Sequence, residues 1–171
     1  MRLGAQTKKT VLRRGIFSGL ILLTAVLQNT PGLFPEIAGV PAMLLIPAVV
    51  CTGMYERDIP GLFYGLLAGV VWDIYAAGPP GLNALMLMTF GLVCGALIGT
   101  VMRNNLVTAL LLTASAMFIY NTIYWFFAYV VKSYDGALRA YLTFYLPSVV
   151  YTVLLMPAFY FIVRAVKNKT G

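Results

Sequence analysis

The sequence has few charged residues, only two cysteines and no histidine. Charged residues account for 10% of the 171 residues, whereas hydrophobic residues account for 61%. A soluble domain carries about a quarter charged residues, so this chain lacks the polar side chains that a water-facing surface requires. We therefore predict an all-α integral membrane protein in which residues 1–171 form a single domain.

The scarcity of ionisable side chains also restricts the chemistry that the chain can perform. Cys51 and Cys94 lie within apolar runs, and without histidine the sequence offers no metal-ligand spacing and no argument for a disulfide. The chain has five carboxylates, of which only Asp73 lies inside a predicted helix. General acid–base and nucleophilic catalysis therefore have almost no suitable side chains. We predict that the protein is not an enzyme and uses no cofactor and no metal.

Apolar runs separated by polar or proline-containing segments predict six transmembrane helices, because each run approaches the roughly 20 residues that cross a bilayer. The predicted helices are about 13–29, 37–55, 60–77, 81–102, 106–131 and 141–163. Pro41 and Pro47 lie inside the second helix, where a proline removes a backbone hydrogen bond or kinks the helix. Residues 55–58 (YERD) are predicted to form a water-facing turn, because three adjacent charges are too costly in hydrocarbon.

The distribution of basic residues predicts how the chain is oriented in the membrane. Ten of the twelve lysines and arginines lie on one side of the predicted bundle, and Lys132 and Arg139 lie on the other. Because cytoplasmic segments carry the excess of basic residues, both termini are predicted to be cytoplasmic. The net charge of +7 is explained in this way, and since no basic patch with interleaved aromatic residues is present, we predict no nucleic-acid partner.

Two consecutive predicted helices carry glycines at intervals of four residues. These glycines are Gly61, Gly65 and Gly69 on the third helix and Gly91, Gly95 and Gly99 on the fourth. Residues four apart share one helix face, and small residues let the backbones of two membrane helices approach closely. The pattern indicates either that the two helices pack on each other or that one glycine face receives the helix of a partner protein.

Asp73 continues the glycine face of the third helix and precedes the Gly-Pro-Pro-Gly break at residues 78–81. We expect it near the outer end of its helix, beside Trp72. A carboxylate within a membrane costs about 3 kcal/mol unless it is paired or hydrated. Two interpretations remain open. Asp73 belongs to a functional site with Gly81 and Asn83, or it makes a structural hydrogen bond to the following loop or to Asn83.

The fifth predicted helix adds polar and aromatic side chains. Asn121 is predicted to form an interhelical hydrogen bond. The aromatic residues of the second half of this helix, among them Tyr120 and Tyr124, are predicted to form an interfacial belt, with stacking on a ligand as the alternative.

Three short segments combine into a family signature. They are PEI at residues 35–37, GLLAGVVWD at 65–73 and GLNAL at 81–85. Together with the chain length and the six predicted helices, they resemble the MreD family of bacterial rod shape-determining proteins. The resemblance implies a multi-pass protein of the bacterial cytoplasmic membrane whose fold is similar to the substrate-binding subunit of energy-coupling-factor (ECF) vitamin transporters.

The resemblance also implies a non-enzymatic subunit of the cell-elongation machinery that supports cell shape and peptidoglycan synthesis. Members of this family are associated with the MreC protein. Through it they are associated with the MreB filament, a SEDS glycosyltransferase and a class B penicillin-binding protein. The alternative is a vitamin-binding subunit of an ECF-type transporter, because Asp73 and the aromatic residues of the fifth helix would suit a ligand pocket.

On these grounds we expect the functional face to comprise the third and fourth helices and the loop between them. Asp73, Gly81 and Asn83 are expected to shape its outer corner. The six glycines are expected to allow close approach of a single-pass helix from an MreC-like partner within the surrounding membrane lipid.

Overall fold

The computed structural model describes residues 2–30, 32, 42–76, 79–127 and 137–170, which form an all-helical bundle. The first five helices are α1 (Arg2–Asn29), α2 (Leu45–Glu56), α3 (Asp58–Tyr75), α4 (Leu82–Thr100) and α5 (Leu106–Trp125). The last part of the chain forms the single turn α6 (Ala137–Ala140), a π-helical segment (Tyr141–Tyr145) and α7 (Leu146–Thr170). The predicted all-α class is confirmed for this part of the chain.

Among the residues that the structure describes, four helical stretches are long and apolar enough to cross a membrane. They are Lys8–Asn29, Leu82–Thr100, Leu106–Trp125 and Tyr141–Thr170. α2 is shorter, since its 12 residues extend about 18 Å at 1.5 Å per residue, and α3 carries Asp58 and Asp73 among its 18 residues. The architecture is that of an integral membrane helical protein in which four stretches are suited by length and composition to cross the bilayer.

The helix bounds differ from the predicted ones in the first, second and last helices. The second helix was predicted from residue 37, but residues 42–44 are not helical and α2 begins at Leu45, while α7 continues to Thr170 instead of ending near residue 163. α1 begins at Arg2 rather than near residue 13, because residues 5–14 contain no proline or glycine that would end a helix. The PEI segment at 35–37 and Pro41 lie outside the described residues. Residues 128–136, which include the end of the fifth predicted helix and the first part of the loop predicted at 132–140, also lie outside them.

The first turn of α2 is capped by side chains of two neighbouring helices. The Leu45 N–H donates to Gln28 Oε1 of α1 at 2.9 Å. The Met43 N–H, just before the helix, donates to Thr152 Oγ1 of α7 at 3.1 Å. Pro47 is the third residue of α2, where a proline removes no helical hydrogen bond. The prediction that Pro47 interrupts or kinks the second helix is therefore wrong.

α2 lies at the centre of the bundle. Every one of its residues except Tyr55 is buried, and it contacts α1, α3, α4, α5 and α7. A helix that is apolar on all sides is stable in such a central position. The surrounding helices instead turn apolar side chains outwards, among them Leu23, Ile74 and Leu154, and a surface of this kind requires lipid as its solvent.

Candidate functional site

α3 and α4 pack with their backbones in direct contact. A Cβ atom added at Gly65 would overlap the Leu87 carbonyl, and one added at Gly69 would overlap the backbone of Ala84. Gly61 and Gly91 face each other in the same way, because a Cβ on either one would overlap the carbonyl oxygen of the other. At these four positions the contact admits hydrogen and no larger side chain.

The contact extends to the segment before α3. A Cβ atom at Gly95 would overlap the backbone of Arg57 and Asp58. Gly53 of α2 joins the contact, because a Cβ there would lie 2.7 Å from the Gly91 carbonyl oxygen. Gly99 does not take part, since its nearest neighbour, Asp58 Oδ1, would be 3.9 Å from an added Cβ.

The glycine faces of α3 and α4 are therefore occupied by contacts within the bundle. Gly61, Gly65 and Gly69 are buried, and their faces are closed by the backbone of α4. A partner helix that approached along this face would have to separate α3 from α4. Two roles were considered for the glycines, and the geometry supports helix packing inside the fold.

Asp73 caps the N-terminus of α4 from the neighbouring helix. Its Oδ1 accepts a hydrogen bond from the Asn83 N–H at 3.2 Å, and its Oδ2 accepts one from the Ala84 N–H at 3.0 Å. The residue before α4, Gly81, has a φ of 84°, which favours glycine, and it offers no side chain to cap the helix. A carboxylate at a helix N-terminus satisfies free N–H groups and is attracted by the helix dipole.

Asn83 connects this cap to α5. Its side chain is buried, and its Oδ1 accepts hydrogen bonds from the Tyr120 hydroxyl at 2.7 Å and the Tyr124 hydroxyl at 3.0 Å. The Tyr120 ring stacks between Trp72 at 5.1 Å and Tyr124 at 4.8 Å, measured between ring centroids. We call these four residues and Asp73 the corner cluster.

The corner cluster alters the prediction for the aromatic half of α5. Tyr120 is buried and faces the bundle interior, so its assignment to an interfacial belt is wrong. Tyr120 and Tyr124 are four residues apart and so share one helix face, but this spacing does not by itself distinguish a buried pair from an interfacial one. Asn121, also on α5, donates from Nδ2 to the Tyr145 carbonyl at 3.0 Å, which confirms the predicted interhelical hydrogen bond.

Replacing Asp73 with asparagine is expected to lower the free energy of unfolding by about 1–2 kcal/mol. Asparagine keeps one acceptor oxygen but removes the charge and leaves one N–H of α4 without its acceptor. Thermal unfolding of the protein purified in detergent measures the change. The matched control is Asp58→Asn, which removes an exposed carboxylate from α3. Equal unfolding midpoints for the two variants would contradict the capping role.

The opposite end of the bundle holds a buried carboxylate. Glu56 ends α2, and its Oε1 lies 2.5 Å from Arg13 Nε of α1 and 3.2 Å from Lys167 Nζ of α7. The Glu56 side chain is only 2% exposed, so the prediction that it lies in a water-facing turn is wrong for this residue. Two cations compensate its burial. We call the end of the bundle marked by these three residues the basic end.

In the part of the chain that the structure describes, no side chains are arranged for metal binding or redox chemistry. No three histidine, cysteine, aspartate or glutamate side chains lie close enough there to hold a metal ion. Cys51 and Cys94 are free thiols in the core, and Cys51 Sγ lies 3.7 Å from Met156 Sδ. Both act as small apolar residues in the interior.

A family model described as rod shape-determining protein MreD matches residues 8–170, which includes α3, α4 and the corner cluster. No curated protein and no solved structure matches the chain.

Proposed function

The chain belongs to the MreD family of rod shape-determining membrane proteins, and from this we propose that it is a non-enzymatic subunit of the bacterial cell-elongation complex. The observation that carries the proposal is the extent of the family match, which runs through every long helix of the bundle. The hydrogen bonds of the corner cluster agree with a structural role, because both oxygens of Asp73 are used inside the fold.

The proposed partner is an MreC-like protein with a single membrane helix. Through it the chain would reach the MreB filament, the SEDS glycosyltransferase and the class B penicillin-binding protein, and so support peptidoglycan synthesis. We place the basic end and both termini in the cytoplasm, because basic residues collect on the cytoplasmic side of membrane proteins. In this arrangement the corner cluster lies near the outer surface of the cytoplasmic membrane.

Six helices, α1–α5 and α7, are proposed to cross the membrane, in an arrangement similar to the substrate-binding subunit of ECF transporters. α2 is shielded from lipid by five neighbouring helices. α3 buries its glycine face against α4, and its Asp73 is satisfied by two backbone N–H groups. A short helix and a charged helix are tolerated in a bilayer when their polar groups are satisfied within the protein.

The outward face of α3 is the proposed binding surface for the partner helix. Four apolar side chains, at spacings that place them opposite the glycines, are exposed there. They are Ile59, Phe63, Val70 and Ile74. Since the glycine face is closed by α4, this is the face of α3 that remains open to a partner, and it runs the length of the helix up to the corner cluster.

In-cell photocrosslinking tests this surface. A photoreactive amino acid at Val70 or Ile74 is expected to capture the MreC-like protein, because the partner helix lies within reach of these side chains. Leu154 on α7 is the matched control, since it is equally apolar and is 72% exposed. Capture from Leu154 but not from the α3 positions would place the interface on α7 instead of α3. No capture from either helix would contradict the proposed partner.

The transporter function makes a different prediction. A vitamin-binding subunit holds its ligand tightly when purified, whereas an elongation subunit is needed for rod shape. Depletion of the chain in a rod-shaped bacterium is therefore expected to produce round cells, with no vitamin bound to the purified protein by calorimetry. Tight binding of a vitamin would overturn the cell-elongation function.

A further inference from the structure

The basic end contains a pocket of about 480 Å³ between α2, the start of α5 and α7, a size typical of ligand sites. Aromatic and polar side chains share its lining. The lining residues are Tyr55, Asn104, Asn105, Leu106, Tyr160, Phe161, Arg164 and Asn168. No lining residue is acidic, so the pocket presents a cation and amide groups against an aromatic wall.

Arg164 provides the charge of the pocket. The nearby carboxylate, Glu56, is already paired with Arg13 and Lys167, and Arg164 forms no ion pair among the described residues. An arginine has five N–H donors in a planar fork that matches the geometry of a phosphate. Asn168, one helical turn further along α7, adds an amide that can donate to the same ligand.

The first turn of α5 lies beside the same pocket and has free N–H groups. The first helical hydrogen bond runs from the Ala109 N–H to the Asn105 carbonyl at 3.0 Å, so the N–H groups of residues 106–108 have no acceptor within the helix. The side chain of Asn105 does not cap them, and Leu106 lines the pocket. The first turn of a helix that is left open in this way favours an anionic ligand.

Asn104 ties the segment before α5 to α2. Its Nδ2 donates to the Met54 carbonyl at 3.2 Å, while its Oδ1 is buried without a hydrogen-bond partner among the described residues. A buried acceptor without a donor is unfavourable. Because this oxygen is not accessible from the pocket, Asn104 positions the segment before α5 and offers no acceptor to a ligand through Oδ1.

The position of the pocket indicates that its ligand is a lipid. Phe161 lines the pocket and is 56% exposed on the outer surface of α7. Val107 of α5 is exposed next to the lining residue Leu106. Apolar surface therefore borders the polar pocket, and this combination fits the headgroup and the acyl chains of a phospholipid.

We propose that this pocket binds the phosphate group of a membrane phospholipid. Arg164 and the open first turn of α5 hold the phosphate, and Asn168 donates a further hydrogen bond. The acyl chains lie against Phe161 and the adjoining apolar surface. The site is independent of any partner protein, because all of its groups belong to this chain.

Native mass spectrometry of the full chain with added dioleoylphosphatidylglycerol tests the site. The wild type is expected to retain the lipid, whereas Arg164→Gln raises its dissociation constant about tenfold, the effect of losing one charge-assisted hydrogen bond. Dioleoylglycerol, which has the same acyl chains but no phosphate, is expected not to bind. The matched control is Lys169→Gln, an exposed cation of the same end that does not line the pocket, with affinity expected to stay within about twofold.

Three results would overturn the proposal. If Arg164→Gln binds the lipid with unchanged affinity, the lipid does not bind in this pocket. If Lys169→Gln loses as much affinity as Arg164→Gln, the lipid is attracted by the positive charge of the basic end in general. Displacement of the lipid by inorganic phosphate at lower concentrations than the lipid itself assigns the pocket to a soluble phosphate. If Arg164→Gln does not fold, Asn168→Ala provides the test. We expect this variant to bind the lipid more weakly than the wild type, by a smaller factor than Arg164→Gln, and unchanged affinity would contradict the site.

Discussion

Gly65→Ala is expected to lower the free energy of unfolding by about 3 kcal/mol or more, at the upper end of the range for overpacking a core. The added methyl group would overlap the backbone carbonyl of Leu87, and a backbone atom in the middle of α4 cannot rotate away as a side chain can. α3 and α4 must therefore move apart along their whole contact. Loss of contact also removes Asp73 from the N–H groups that it caps.

Thermal unfolding of the detergent-purified protein, followed by tryptophan fluorescence, measures this effect. For a chain of this length the expected decrease in the unfolding midpoint is roughly 6–12 °C. The matched control is Gly99→Ala, on the same face of α4, where an added Cβ has no neighbour closer than 3.9 Å. Alanine favours a helix over glycine by about 1 kcal/mol, so the control is expected to be neutral or stabilising. Similar midpoints for both variants would contradict the backbone contact.

Glu56→Gln is expected to lower the free energy of unfolding by about 3–5 kcal/mol, as for other buried ion pairs that lose one partner. The substitution leaves Arg13, whose side chain is 15% exposed, without a counter-charge. Lys167 is affected less, because its side chain is 31% exposed and its charge is partly solvated by water. Since the three residues join α1, α2 and α7, the loss is expected to loosen the whole basic end.

Two companion variants separate charge from packing. Asp58→Asn removes the exposed carboxylate two residues along and is expected to stay within about 1 kcal/mol of the wild type. The double variant Glu56→Gln with Arg13→Gln removes the cation that the single variant leaves buried, and it is expected to regain part of the lost stability. A double variant that is less stable than Glu56→Gln alone would show that the side chains act by packing and not by charge.

The contact between α3 and α4 was accessible from the sequence because it depends on a local period. Three glycines four residues apart must share a helix face wherever the helix lies. Gly53 lies eight residues before Gly61 and so fits the same spacing, but it was not predicted to belong to this contact. Arg57, with a φ of 71°, breaks the helix between the two glycines, and only the folded chain brings Gly53 back against Gly91.

The corner cluster was predicted in part. Asp73, Gly81 and Asn83 are close in the sequence, so a cap across the intervening turn could be considered from their spacing alone. Tyr120 and Tyr124 are 37 and 41 residues beyond Asn83, and their hydroxyls were indistinguishable from those of an interfacial belt. Which aromatic residues face inwards depends on the rotation of α5 about its axis, which its neighbours decide.

The sequence by itself determined that the chain is surrounded by lipid, that its fold is helical and that the glycines share one helix face. Composition and short-range spacing decide these properties for each segment separately. Only the tertiary structure decided that the glycine face is closed by α4 and that Glu56 is buried. Both outcomes depend on where distant helices meet: α4 covers the glycines, and α1 and α7 bring Arg13 and Lys167 to one carboxylate. A charged residue at a helix end has the same sequence pattern in water and in a bundle, and the cations around it make the difference.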